Sequence, residues 1–358
     1  MSNYRTVARQ DVDKTAWDAA SASFEQAWFW HQWDVIEAYS SWNGAEDHSF
    51  AIADDAQDGQ LVCICPLLWF PGRAPVLRLL SRLESTGGPA VAEKLSKRQV
   101  TKVHAFVQKT LMDIAERTGA YRVDLSFSPL APAMIAPNSA RINPAVNLAY
   151  RESSTHTWIV DLQDENTDTL WMKLDQRVRK TVNKARKLGG EVRQATLDDL
   201  PLYMDIHERS CLRLGIAPKP EAYFKAILGD LQNSGSAIAF VGSLADGMPL
   251  TVHTFALAKD AALYWTVASD EAVMDTGLNS LVQWEAMQHF LKIGTRFYET
   301  GEAFPALKEG KLKQISDFKK GFGAKLHPYF RGVMLRKPVL AASLNLLKAL
   351  TGRENRIQ

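Results

Sequence analysis

Residues 237–301 read AIAFVGSLADGMPLTVHTFALAKDAALYWTVASDEAVMDTGLNSLVQWEAMQHFLKIGTRFYETG, and the order of elements in this stretch decides the fold. Apolar alternation on both sides of Asp246-Gly247 predicts a hairpin, and AALYWTVAS (261–269) predicts a further strand. LNSLVQWEAMQHFLKIG predicts a helix stopping at Gly294, before a strand TRFYETG. An antiparallel hairpin, a crossover helix and a strand returning to the sheet make a mixed α+β layer. The first half repeats this order. SFAIADDAQDGQLVCICPLLWF predicts two strands around Asp58-Gly59, and Val100, Val103, Val107, Leu111 and Ile114 predict a helix that stops near Gly119. YRVDLSFS then alternates as a strand. Two similar halves point to an old duplication, although hairpin-helix-strand also recurs by coincidence. Pro129, Pro132, Pro137 and Pro144 cannot continue a helix or sit in a central strand, so this stretch is the expected boundary. The expected division is 1–148, 149–336, and a C-terminal helix and tail at 337–358.

A chain of 358 residues and 39.9 kDa exceeds one ordinary domain, and 46% hydrophobic with 23% charged residues excludes a mainly disordered one. No apolar run reaches the roughly 18–20 residues that span a bilayer, and the start, MSNYRTVARQDVDK, lacks the apolar core of a signal peptide. The expectation is a soluble, cytoplasmic protein, monomeric or weakly dimeric. Cys63, Cys65 and Cys211 include one C-x-C pair with no second pair to complete a zinc site, so they read as reduced and structural. With 42 basic against 40 acidic residues the net charge is only +2, and local clustering alone speaks for an anionic partner.

Two clusters do. Thr169 to Leu188 holds seven basic residues and one acid, and Lys173, Arg177, Lys180, Lys184 and Lys187 fall on one stripe of an expected helix. Leu170, Leu174, Val178 and Ala185 line the neighbouring stripe. One face is therefore buried and one cationic, suited to phosphates or simply solvated. Lys308 to Lys325 holds six lysines, with Lys319 and Lys320 following Phe318 and with Gly310, Gly321 and Gly323 allowing close approach of a ligand. Glu299 and Glu302 flank Gly301 at a strand end, where open sheets place chemistry; loop-tip carboxylates in water are the blander reading. His253 interrupts an apolar strand and reads as a base or, preferably, as a satisfied strand histidine. Tyr223 and Tyr264 read as hydrogen-bond donors to an acceptor or as core aromatics. His207, Glu208 and Cys211 share one helix without an oxyanion-hole motif, which argues against a covalent intermediate.

The second half resembles the catalytic half of FemAB/FemX-type proteins. WIVDLQDENTDTLWMKLDQRVRKTVNKARKLGGEV is similar to that half's opening, TGLNSLVQWEAMQHFLKIGTRFYETGE to the Asn-x-Leu-x-x-Trp helix and its following strand, and ISDFKKGFGAKLHPYFRG to the Phe-Lys-x-x-Phe-Gly segment. In the first half FEQAWFWHQW, CPLLWF and TGGPAV resemble the family's Phe-x-Gln-x-x-x-Trp, Pro-Leu and Gly-Gly-Pro elements. The resemblance implies two GNAT-like domains in tandem, each a mixed, mostly antiparallel sheet flanked by helices, with an acceptor cleft between them. It implies amide formation from an activated acyl donor, without metal or bound cofactor.

By the same resemblance Lys319 stabilises the developing oxyanion, and Arg213 anchors an acceptor phosphate or carboxylate. Glu299 stands where the family has Asp, and Glu302 where it often has Gly. An acetyl-CoA-binding member of the GNAT superfamily carries a glycine-rich pyrophosphate loop; here ASDEAVMDTGLNSL keeps only Gly277 and adds Glu271 and Asp275. That departure favours aminoacyl-tRNA as donor over acyl-CoA. The acceptor is an amine on an envelope precursor or small molecule. The alternatives are an acyl-CoA-dependent N-acyltransferase acting on an amino sugar, and a non-catalytic binding module.

Overall fold

The computed structural model describes residues 3–41, 44–71, 81–136, 142–245, 248–273 and 275–336. Two units emerge, one of Met1–His31, Gly44–Ser154 and Phe330–Gln358, the other of Gln32–Asn43 and Thr155–Tyr329. The chain therefore crosses between units near Ser154 and Tyr329, and the described part of the proline-rich stretch lies inside the first unit. The reason is strand pairing: Arg331–Leu335 lies antiparallel to Arg122–Ser126, which draws it away from the sequential second half. The Asp246-Gly247 turn, Pro137 and the tail at 337–358 lie outside the described residues.

In the first unit Tyr4–Ala8, Phe50–Asp54, Gln60–Cys65 and Ala90–Val91 form an antiparallel sheet. A second sheet runs Glu46–Asp47, Leu68–Phe70, Arg82–Thr86, Arg122–Ser126, Arg331–Leu335, Arg151–Glu152. Its parallel pair, Arg82–Thr86 with Arg122–Ser126, is joined by helix Lys97–Arg117, which starts at a Ser96/Gln99 capping box. Val103, Val107, Leu111 and Ile114 bury the helix against Leu83, Val123 and Leu125, as their spacing requires, and Cys63 and Cys65 sit reduced in the same core. The Gly87-Gly88 turn is glycine for packing reasons. Both residues have positive φ, and an added Cβ would lie 2.6 Å from the His31 ring and 2.5 Å from the Phe127 ring.

The second unit carries one seven-stranded sheet, ordered Glu191–Gln194, Ala237–Ser243, Pro249–Ala258, Ala261–Ser269, Phe297–Ala303, Thr155–Asp161, Lys325–Tyr329. Every pairing is antiparallel except Ala261–Ser269 with Phe297–Ala303. Helix Leu278–Lys292 crosses between those two strands and is buried almost all round against Ile238, Phe240, Phe255 and Tyr298. The expected single basic helix is two: Thr167–Lys173 and Gln176–Lys187. Leu174 and Asp175 are extended between them, because Leu174 turns into the core and the Asp175 N–H donates to Gly321 O at 2.8 Å. Lys173 thus leaves the stripe and pairs with Glu165.

Candidate active site

The parallel strands of the second unit part company. Ala261, Ala262 and Leu263 pair with Phe297, Tyr298 and Glu299, and no further pair follows, although the strands run on to Ser269 and Ala303. Bulges in the flanking pairings, at Thr254/Phe255 and at Trp158/Ile159, bend the two strands locally. The result is a wedge open at the carboxyl ends of both strands, with strand-edge amides and carbonyls available to a ligand.

One wall carries a half-buried cation. Helix Lys311–Lys320 is pinned to the Phe297–Ala303 strand because the Thr300 hydroxyl donates to Lys319 O at 3.1 Å. Lys319 Nζ donates to Glu302 O at 3.4 Å. Gly301 has φ +108°, and a Cβ there would come within 2.8 Å of that ammonium, so the glycine makes room for it. Burial lowers the Lys319 pKa, opposed by the nearby Glu302 and Glu299 carboxylates. Glu299 is itself buried and accepts from the Thr157 hydroxyl at 2.6 Å. Trp158 Nε1 and the Phe304 N–H both donate to Ser316 Oγ at 3.0 Å, holding the helix from below. Phe318 stands edge-on to the fully buried Phe322, 5.1 Å between centroids, while the exposed Lys320 lies over the Trp158 ring. Gly323, at φ +82°, turns the chain beside the Lys173 backbone.

The basic helix starts at that same turn. Gly321 sits so close to Val178 that a Cβ would come within 2.7 Å of the valine methyl. From there Arg177, Lys180, Lys184 and Lys187 are exposed along one face and take part in no ion pair among the described residues. Ten residue steps of helix, from Arg177 to Lys187, carry this stripe over about 15 Å. Arg186 is already engaged by Glu285 and by the Trp171 ring. The helix also covers the start of Leu278–Lys292: Gly277 has φ +83°, a Cβ on it would collide with the Thr181 carbonyl, and Thr181 Oγ1 donates to Ser280 Oγ at 3.0 Å.

The remaining expected residues fall at several places. Tyr264 is half-buried on the wedge, stacked 5.2 Å from the His253 ring. His253 is fully buried with both ring nitrogens engaged, Nε2 by Asn279 Oδ1 at 3.0 Å and Nδ1 by Gln283 Nε2 at 3.1 Å. Burial pulls its pKa down to about 4, so it is neutral and has no nitrogen free for a substrate proton. Tyr223 is fully buried against Tyr39 and Trp265, a core aromatic. Arg213 is exposed at the wedge's open end, donating to Ser269 O at 3.2 Å. Cys211 is buried 3.5 Å from His207 Nε2, which accepts the Lys219 N–H at 2.9 Å; desolvation raises this thiol's pKa, the reverse of nucleophile activation. Sequence reasoning missed Thr157, Ser269, Asn279 and Gln283. A signal was present in the spacing, since Asn279 and Gln283 stand one helical turn apart, on the face of the helix that meets His253.

Residues 172–309 match the model of the acetyltransferase (GNAT) domain. No curated protein matches the chain in sequence. Among solved structures the fold is similar to FemX, at 16% identity and TM-score 0.67, covering 94% of this chain and 99% of that one. It is similar to the C-terminal domain of a putative lysylphosphatidylglycerol synthetase from Agrobacterium fabrum, at 13% identity and TM-score 0.57, covering 94% and 95%. It is also similar to a tandem GNAT protein from the clavulanic acid biosynthesis pathway, at 12% identity and TM-score 0.56, covering 94% and 99%. The fold is thus similar to that of FemX and of a tandem GNAT protein, with two GNAT-like domains. Among the described residues no group of side chains fits a metal ion, and no helix is long and apolar enough to cross a membrane.

Proposed function

We propose that the second unit transfers an aminoacyl group from aminoacyl-tRNA to an amine on an envelope precursor or small molecule. The observation that carries this reading is the stripe Arg177, Lys180, Lys184 and Lys187, free of ion pairs among the described residues and beginning at the turn that follows Lys319. Four cations over about 15 Å suit consecutive phosphates of an RNA strand. An acyl-CoA pyrophosphate would seek the amides at the start of Leu278–Lys292, where the Thr181 carbonyl already packs against Gly277.

The chemistry follows from the wedge. The unprotonated acceptor amine attacks the ester carbonyl, a C–N bond forms, and negative charge develops on the carbonyl oxygen. Lys319, held in a poorly hydrated corner by the Glu302 carbonyl, faces that charge without reorganising. Collapse of the intermediate breaks the ester C–O bond, and the ribose oxygen leaves with the proton given up by the amine. Glu299 or Glu302 accepts that proton from the amine, directly or through water, and hands it to the ribose oxygen as the C–O bond breaks.

Binding of a minihelix RNA bearing an amide-linked, unreactive aminoacyl end tests the donor. About four neutralised phosphates predict a fall of roughly two orders of magnitude in affinity between 50 and 200 mM salt. Lys180→Glu with Lys184→Glu flattens that slope. Transfer from an acyl-CoA that survives ribonuclease and ignores both substitutions replaces the tRNA reading with the CoA-dependent one. Binding without transfer to any amine, from either donor class, leaves a binding module.

A further inference from the structure

Beneath the wedge lies a hydrogen-bond chain whose direction is fixed from its buried end. Tyr298 is fully buried and its hydroxyl has one partner among the described residues, Gln283 Oε1, so it donates there. That sets the Gln283 amide: Nε2 donates to His253 Nδ1 at 3.1 Å. With Nδ1 acting as acceptor, neutral His253 carries its proton on Nε2 and donates to Asn279 Oδ1 at 3.0 Å. Thr251 Oγ1 at 3.0 Å and Ser269 Oγ at 3.2 Å point at the same oxygen. Reversing the chain would strand the Tyr298 proton in the core without an acceptor.

The consequence falls on Asn279. Its oxygen is committed inwards, while Nδ2 has no partner among the described residues and is not shut away from solvent. The residue sits beside Ser269, at the open end of the strand that forms one wall of the wedge. We infer that Asn279 is a substrate-binding residue that donates from Nδ2 to an oxygen of the acyl donor, with His253, Gln283 and Tyr298 as positioning residues. This rests on the reading that the wedge takes an acyl donor. Both donor classes offer such an oxygen, as a carbonyl, ribose or phosphate group.

The test uses the full-length chain and two probes, the minihelix RNA with an amide-linked aminoacyl end and acetyl-CoA. Asn279→Asp keeps the inward oxygen and replaces the outward donor with an acceptor. It weakens whichever probe the wild type binds by about tenfold or more, with thermal stability retained. Should Asn279→Asp fail to fold, Asn279→Ser carries the same expectation. Tyr298→Phe frees the Gln283 amide to turn and costs a few-fold in affinity, and adding it to Asn279→Asp costs nothing more, which a merely structural tyrosine would not do. Nitrogen NMR of the wild type finds His253 Nδ1 unprotonated and Nε2 protonated. Unchanged affinity in both Asn279 variants, or a proton on His253 Nδ1, overturns the inference and leaves the transferase reading standing. A wild type that binds neither probe brings down both.

Discussion

Each unit contains one parallel strand pair joined by a crossover helix, and the two pairs differ in how far they stay zipped. Arg82–Thr86 and Arg122–Ser126 pair at all five positions, whereas Ala261–Ser269 and Phe297–Ala303 pair at three before separating. In the first unit the backbone groups along that seam face one another, and the charges on the strand neutralise themselves, Arg122 Nη2 lying 2.7 Å from Asp124 Oδ1. In the second, a bulge in each of the two parallel strands, where it meets its antiparallel neighbour, accompanies the opening of the seam, and a half-buried ammonium stands beside it. The same order of elements therefore yields a closed seam once and an open one once. The difference is made by two bulges, one glycine and one lysine rather than by fold.

The largest expected effect tests what holds the open seam's helix in place. Gly277→Ala drives a methyl into the Thr181 carbonyl at φ +83° and should cost on the order of 4 kcal/mol, read from hydrogen exchange in helix Leu278–Lys292. Gly119→Ala, at φ +69° in the first unit with nothing within 4 Å, should cost only about 1–2 kcal/mol. Equal losses would mean that the helix does not depend on the close approach.

Chemistry comes next. Lys319→Ala should slow a single turnover by about 10²–10³-fold with donor affinity preserved. Neutralising Arg122 and Asp124 together should leave turnover unchanged; a comparable slowing from that pair would place chemistry in both units.

Acid should find the second unit through His253. Its folded pKa, about 4, lies below the roughly 6.5 of an unfolded histidine, so the unfolded chain takes up the proton first. The stability it contributes is present above pH 6.5 and is lost as pH falls towards 4, about 3 kcal/mol in all. Denaturant titrations at pH 7 and pH 4.5 check this. A His253→Gln variant should show a shallower decline over that range, and an equal decline would assign the effect to other groups.

The smallest effect concerns the stripe. Lys180→Glu should weaken minihelix RNA binding by about tenfold at low salt without changing thermal stability, since its side chain is exposed and outside any ion pair among the described residues. A matching loss with Lys102→Glu, exposed on the first unit's crossover helix, would reduce the stripe to general surface charge.

Much of this was legible in the sequence because it is local. Val103, Val107 and Leu111 announce their helix by spacing, and the strand Ala261–Ser269 and the helix starting at Leu278 stand where alternation and periodicity put them. Phe318, Lys319 and the flanking glycines were visible as a cluster, and Gly301 does make room for the Lys319 ammonium. What was not legible depends on partners far along the chain. The break at Leu174–Asp175 is set by Gly321, about 146 residues later, so periodicity alone ran the helix straight through. Helix Trp33–Ser40 joins the second unit because Tyr39 stacks on Trp265 and meets Tyr223, a preference no local pattern encodes. The chain from Tyr298 to Asn279 assembles residues from two strands and a helix, and only the one-turn spacing of Asn279 and Gln283 and the lone His253 in an apolar strand hinted at it.

The central claim is that reaction takes place where the second unit's parallel strands separate, beside Lys319. Rapid-quench measurement of amide formation in one turnover, with saturating aminoacyl minihelix and an amine acceptor, tests it most directly. Wild type should form product at least about 100-fold faster than Lys319→Ala, with donor affinities agreeing within about twofold. Equal rates, with Lys319→Ala folded and binding donor, would contradict the account.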